Sequence, residues 1–159
     1  MQQSSLAKWL KLIVIGVGIC LTTICGWVIP NMGDALLMQY PEFSYAFIPW
    51  LIFIWLSAVP CYIVLVIGWK IFTNIGNDRS FTSMNANYLK WISVLAAVDS
   101  FFFFSGNIIL GLLNMNHPGI VMASLVVVTF GISVSIIAAA LSHLVMKAAV
   151  LQEQNDLTI

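Results

Sequence analysis

The sequence predicts an all-α integral membrane protein: a bundle of four transmembrane helices with both termini cytoplasmic. Three observations lead there. Of 159 residues, 61% are hydrophobic and 8% charged, against about 25% charged in an ordinary soluble domain. The apolar residues gather into four runs, near residues 9–30, 46–69, 91–113 and 119–146, each at or beyond the ~20 residues that cross a bilayer as a helix. The basic residues are sorted as well. Lys8 and Lys11 precede or begin the first run, Lys70, Arg79 and Lys90 lie between the second and third, and Lys147 follows the fourth. Cytoplasmic segments carry the excess of Lys and Arg, which assigns the 70–90 loop, the N-terminus and the 147–159 tail to the cytoplasm. The opposite side carries Asp34, Glu42 and His117. Six basic and six acidic residues cancel, so no basic excess is present to bind nucleic acid directly.

Each run has its own character. The first is longer than the core of a typical cleavable signal peptide and is followed by no small-x-small site. Ile19 and Ile24 stand before Cys20 and Cys25, where lipoprotein processing needs a small residue. It is therefore read as a retained span. The second run contains Pro49 and Pro60, and the interior proline should bend its helix near Ser57. The third carries one acid, Asp99, and four consecutive phenylalanines from Phe101 to Phe104. The fourth is long enough for its last turns to project into the cytoplasm. Trp9, Trp69, Tyr88 and Trp91 mark one interface and Trp27, Tyr40, Tyr45 and Trp50 the other, where amphipathic rings settle. Trp55 alone falls deep inside a span. Between the first two runs, residues 35–40 suggest a short interfacial helix stopped before Pro41, and the 114–118 connection is tight. No internal repeat supports an inverted-repeat transporter.

Little of this can carry catalysis. Cys20, Cys25 and Cys61 lie within spans without metal-ligand spacing, and no nucleophile motif or phosphate-cradling glycine loop occurs. His117 and His143 fall on opposite sides of the membrane. No enzyme activity, metal or cofactor is expected. Asp99 is the exception in kind, because an intramembrane carboxylate costs about 2.5–3.5 kcal/mol unless it is paired, protonated or facing water. In a hairpin turning near Asn116 it lies level with Ser133, making Thr129, Ser133 and Ser135 the expected partners and placing His143 deeper. The candidate intramembrane polar site is thus Asp99, Asn107, Ser133, Ser135 and His143. Two readings stand: a proton- or ion-handling site, or a hydrogen-bonded acid joining the third and fourth spans. Small residues also recur at every fourth position, as Gly131, Ser135, Ala139 and His143, and as Gly18, Thr22 and Gly26. Such stripes allow close helix approach within one chain or in a homo-oligomer.

The cytoplasmic segments hold the patterned polar residues. Residues 76–79 read as a turn, Ser80 or Thr82 as the N-cap of the next helix, and Phe81 as an apolar residue pinning the loop against the helix ends. The tail from Val150 is polar with apolar residues at its close, a frayed end or a docking peptide. Phe81, Thr82, Asn155, Asp156, Leu157 and Thr158 are the candidate docking residues.

The four-span layout, the element from Ile75 to Phe81-Thr82 followed by Leu89-Lys90-Trp91-Ile92, and the closing Asn155-Asp156-Leu157-Thr158-Ile159 resemble the bacterial DUF2975 membrane family over nearly the whole chain. Gln154 stands where an acid commonly precedes the Asn, and Thr82 where Ser commonly follows the Phe. The resemblance implies a bacterial inner-membrane protein without established activity. Members are often encoded beside small helix-turn-helix regulators, which implies a membrane partner or tether for a cytoplasmic DNA-binding protein. The alternative is a small transporter, channel subunit or membrane-stress immunity protein that uses Asp99 inside the bundle.

Overall fold

The computed structural model describes residues 3–156 and is helical almost throughout. Helix α1 (Gln3–Thr23) runs through a π-helical turn (Ile24–Val28) into α2 (Ile29–Gln39), and a 3₁₀ stretch (Pro41–Ala46) leads to α3 (Phe47–Gly76), α4 (Ser83–Leu112) and α5 (Pro118–Asp156). Four stretches are long and apolar enough to cross a membrane: Ser5–Gln39, Pro41–Gly76, Ser83–Leu112 and Pro118–Asn155. The short helix expected at 35–40 is not separate. It is the end of one continuous helix that stops where Tyr40 leaves helical geometry (φ −132°, ψ 71°) because Pro41 follows.

That continuity across Pro30 has a physical cause. In the π turn the N–H of Ile29 bonds to Ile24 O, one residue further back than in an α-helix. The next donor in that register is Pro30, which has no N–H, leaving Cys25 O without its helical partner. Trp55 on α3 supplies the missing donor, its Nε1 lying 3.1 Å from Cys25 O. Asn31 Nδ2 donates to Trp27 O at 2.6 Å. The lone tryptophan deep in a span is therefore a backbone cap for the neighbouring helix.

Helix α4 pairs with α5 along a heptad seam. Ala86, Ser93, Ser100 and Asn107 recur at every seventh position of α4, with Leu89, Ala96, Phe103 and Leu110 between them, and all are buried or half-buried. Val121, Ser124, Val128, Gly131, Ser135, Ala138 and Ser142 answer them on α5. This 3-4 alternation is the spacing of a left-handed helix pair. Lipid gives helices no hydrophobic reason to associate, so small side chains and interhelical hydrogen bonds hold the seam. Ser135 Oγ donates to Ser93 O at 2.8 Å and Ser142 Oγ to Ala86 O at 2.6 Å. A Cβ on Gly131 would run into Ser100 Oγ. The expected four-residue stripe holds for Gly131 and Ser135, then drifts: each four-residue step overshoots a full turn by about 40°, and Ala139 and His143 are exposed.

Helix α3 meets α4 through aromatic packing. The Phe53 ring lies 5.3 Å from the rings of both Phe102 and Phe103, and Gly106 leaves room for it. Helix α1 packs on α3, with Thr22 Oγ1 3.0 Å from Tyr62 Oη and Ala7 against Gly76. The bundle is open. Among the described residues, no Cα of α1 comes within 8 Å of α4 or α5, nor does any of α3 approach α5 so closely. A side chain added at Gly16 or, in the π turn, at Gly26 would meet nothing within 4 Å. The helices form a row in chain order, and the starts of α1 and α4 lie at the same end as the ends of α3 and α5. All six Lys and Arg residues lie toward that end.

Candidate functional site

Asp99 is half-buried where α3 faces α4, and Ser57 Oγ donates to its Oδ1 at 3.0 Å. Its partner is on the second span, not the fourth. The reason is angular. Ser100, one residue on, occupies the α5-facing seam, which turns Asp99 toward α3 together with Gly106, with Phe103 at the border of the two faces against Phe53. Among the described residues no basic side chain pairs with it. Ser57, where a bend was expected, sits in a helix that continues through Pro60 and serves as the hydrogen-bond donor.

The other residues of the expected intramembrane site do not assemble around Asp99. Thr129 and Ser133 turn back on their own helix, donating to Leu125 O and Thr129 O at 2.8 Å. Ser135 is occupied by Ser93 in the α4–α5 seam. His143 is exposed on the outer side of α5. Asn107, 2% exposed, closes the far end of α4: its Nδ2 donates to Phe103 O and its Oδ1 accepts from Asn116 Nδ2, both at 2.9 Å.

Among the described residues, the connection between α3 and α4 holds a densely hydrogen-bonded polar site, and its centre is a residue the sequence did not single out. Asn85 is 1% exposed. Its Nδ2 donates to Arg79 O at 2.9 Å and Ser80 O at 3.0 Å, and its Oδ1 accepts from Asn74 Nδ2 at 2.7 Å. Its backbone N–H donates to Thr82 Oγ1 at 3.2 Å, which makes Thr82 the N-cap. One amide thereby ties the end of α3, both loop carbonyls and the start of α4 into a unit. Asp78 supplies the sharp reversal with φ 58°, a left-handed conformation that Asp tolerates better than most residues. The signal lay in the spacing Thr82-Ser83-Met84-Asn85, where a polar residue three after the cap is placed to reach back, as in a capping box.

Phe81, expected to pin this loop, stands largely in the open. It is 56% exposed, and Met84 beside it is 57% exposed. An apolar residue before the cap normally packs on the fourth helical residue. Here that residue is Ala86, which is fully buried and whose carbonyl accepts from Ser142 of α5. Two apolar side chains thus project from a fixed turn. Because Ser142 stands level with Ala86 near the start of α4, α5 continues past it for several turns. Asn155 lies exposed on that extension and Asp156 is the last residue of the helix; Leu157 and Thr158 lie outside the described residues.

A row of four membrane-length helices with a clamped turn at one end defines a small multi-span membrane protein. The chain belongs to the family described as protein of unknown function (DUF2975), whose profile matches residues 31–159. It is 27% identical over 155 residues to the uncharacterized membrane protein YoaS of Bacillus subtilis (strain 168), covering 95% of this chain and 96% of that protein. No solved structure matches it. The matched stretch takes in both the Asp99–Ser57 contact and the Asn85 clamp.

Proposed function

We propose that this protein is a non-enzymatic partner or tether, in the bacterial cell membrane, for a small cytoplasmic DNA-binding regulator, with both termini and the 77–82 turn on the cytoplasmic side. The observation that carries the reading is the turn itself: Phe81 and Met84 stand exposed on a backbone fixed by Asn85. Apolar side chains presented by an ordered loop are the usual anchors of an interface. The gathering of every Lys and Arg at the same end supports the cytoplasmic assignment. Docking engages Phe81 and Met84 together with the α5 extension and the 155–159 tail.

The test is co-purification of the tagged full-length protein in mild detergent with the helix-turn-helix regulator. Deleting residues 155–159, or replacing Phe81 with Ser, is expected to remove the regulator while membrane insertion persists. Undiminished recovery from both variants would overturn the proposal.

A second reading is favoured by Asp99, a membrane-embedded carboxylate held by one hydroxyl and paired with no cation among the described residues. Intramembrane ionisable groups of this kind mark ion or proton pathways. Under that reading Asp99→Asn eliminates complementation of a deletion strain without lowering the protein level. Full complementation would reduce Asp99 to a packing role.

A further inference from the structure

At the end of the helices that carries the 77–82 turn, two lysines stand over aromatic rings of the neighbouring helices. Lys11 Nζ of α1 lies 5.2 Å from the centre of the Trp69 ring on α3, and Lys70 Nζ of α3 lies 5.9 Å from the centre of the Tyr88 ring on α4. Trp69 and Lys70 are consecutive, one helical rise of about 1.5 Å apart, so both contacts sit at one level of the bundle. A ring face attracts the ammonium and restrains its stem, yet accepts none of its three N–H donors in full. Among the described residues neither lysine is in an ion pair. Helices α1 and α3 contain no Asp or Glu, and the single acid of α4, Asp99, lies about 16 Å further along that helix than Tyr88. Asp78 is in the turn beyond the end of α3, and Glu153 and Asp156 belong to α5, which does not approach α1 or α3. The chain gives these two charges rings, and no carboxylate to neutralise them.

The same side of α3 continues into the membrane as an apolar track. Tyr62, Trp69 and Gly76 mark the face of α3 that meets α1, and Phe53 and Ser57 mark the face that meets α4. Steps of 100° per residue put Lys70 between those two faces, in line with Val66, Ile63 and Val59 at spacings of four and three. Those three side chains are 58%, 43% and 52% exposed. From Lys70 to Val59 the track runs for about 16 Å along the helix. Trp and Tyr rings settle at the level of the headgroups, so the ammonium groups over Trp69 and Tyr88 stand where lipid phosphates lie. Positive charge at headgroup level above an exposed apolar track matches the outline of an anionic lipid.

We propose that this side of α3 is a site for one anionic phospholipid: Lys11 and Lys70 hold its phosphate-bearing headgroup by charge-assisted hydrogen bonds, and one acyl chain lies along Val66, Ile63 and Val59. The assignment rests on the chain crossing a membrane, holds for either orientation of its termini, and does not depend on the tether reading. A zwitterionic lipid would bring its own ammonium to two that already lack a counter-charge, so the site selects phosphatidylglycerol over phosphatidylethanolamine. Lys90 provides the contrast within the chain. It follows Tyr88 by two residues and is turned 200° from it around α4, on the side away from α3 and outside the site.

Native mass spectrometry of the full-length protein, released from nanodiscs of dioleoyl phosphatidylglycerol and dioleoyl phosphatidylethanolamine in equal parts, tests the site. Wild type is expected to keep one phosphatidylglycerol, in preference to phosphatidylethanolamine, under activation that strips bulk lipid. Lys11→Gln and Lys70→Gln each remove one charge and should lower that retention roughly fivefold, and the double variant roughly thirtyfold. Lys70 is exposed and Lys11 half-buried, so both changes are expected to leave the helical circular dichroism signal unaltered. Lys70→Arg keeps the charge and should keep the lipid. Lys90→Gln removes a charge from the same end of the molecule but outside the site, and retention should stay at the wild-type level. Equal retention of the two lipids by wild type, a loss in Lys90→Gln as large as in Lys11→Gln, or release of the lipid by soluble glycerol 3-phosphate, the mark of a site for the headgroup alone, would each overturn the proposal.

Discussion

The two ends of α4 are each closed by a buried asparagine, yet they are built to different standards. At the turn end, both donors and the acceptor of the Asn85 amide are engaged within one short loop. At the other end Asn107 is satisfied by Asn116, but Asn116 Oδ1 is itself buried without a donor, as is Trp50 Nε1 without an acceptor. One end is a closed polar network; the other leaves a buried donor and a buried acceptor unspent. A fully satisfied network rigidifies what it holds, which suits a surface that must be presented.

The largest effect expected from breaking this contrast is at Asn85. Asn85→Ala removes three side-chain hydrogen bonds, those to Arg79 O, Ser80 O and Asn74 Nδ2. With a buried unsatisfied group costing about 1–3 kcal/mol, the expected loss is roughly 3 kcal/mol or more, read as a lowered thermal midpoint in detergent. Asn85→Asp keeps the acceptor for Asn74 but sets a buried carboxylate oxygen against the Arg79 and Ser80 carbonyls, so it should cost at least as much as Ala. A midpoint unmoved by either change would mean that the turn is held by something other than this amide.

Next in size is the α4–α5 seam against the α1–α3 contact. Gly131→Val drives a side chain into Ser100 Oγ, with the Ala96 carbonyl at 3.9 Å behind it. Backbone yields less than a flexible side chain, and overpacking of this kind costs about 1–3 kcal/mol. Gly16→Ala on α1 meets nothing and should be neutral or slightly stabilising, since Ala is the better helix former by about 1 kcal/mol. Thermal midpoints of the pair contrast a glycine at a close helix contact with one that faces open space. Equal effects would refute the description of an open row.

The sequence carried the architecture well, and its failures have a common cause. Hydropathy and the sorting of Lys and Arg are properties of whole segments, so four membrane-length helices were legible without knowing any contact. The cap at Thr82 and the stop before Pro41 were legible for a similar reason, because local backbone chemistry decides them. What was not legible is which face of each helix meets which neighbour. Asp99 and Ser100 are adjacent in sequence and separated by about 100° around the helix. That single step sends one to Ser57 on α3 and the other to α5, and level alone could not distinguish them. Trp55 was conspicuous, but its role depends on the register shift before Pro30, which no pattern in the first run announces. The exposure of Phe81 at 56% beside a fully buried Ala86 depends likewise on where α5 runs, which local spacing does not encode.

Trp55 gives the third prediction. Trp55→Phe preserves most of the ring and withdraws the donor from Cys25 O. Hydrogen bonds between membrane helices contribute about 0.6 kcal/mol on average and up to about 1.7 kcal/mol. An acceptor already stripped of its helical partner by Pro30 should lie toward the upper value. The α1–α3 contact should loosen, seen as faster amide exchange around Ile24–Val28. Exchange identical to wild type would mean that the π turn stands without Trp55.

The smallest effect is expected at Asn116, and it bears most directly on the contrast between the two ends. Asn116→Ala takes the donor away from Asn107 Oδ1, which leaves one buried acceptor unmet. The same change deletes Asn116 Oδ1, a buried acceptor that wild type leaves unmet already. One unsatisfied group is exchanged for another of the same kind, and the net cost should be about 1 kcal/mol or less, set by the lost hydrogen bond. Asn85→Ala has no such offset, because every polar atom of that amide is engaged before the change. The two asparagines are both more than nine-tenths buried, so a burial argument alone assigns them similar importance. Thermal midpoints that differ by a factor of three or so in free energy would show that satisfaction, not burial, sets what a polar residue contributes at each end of this helix pair.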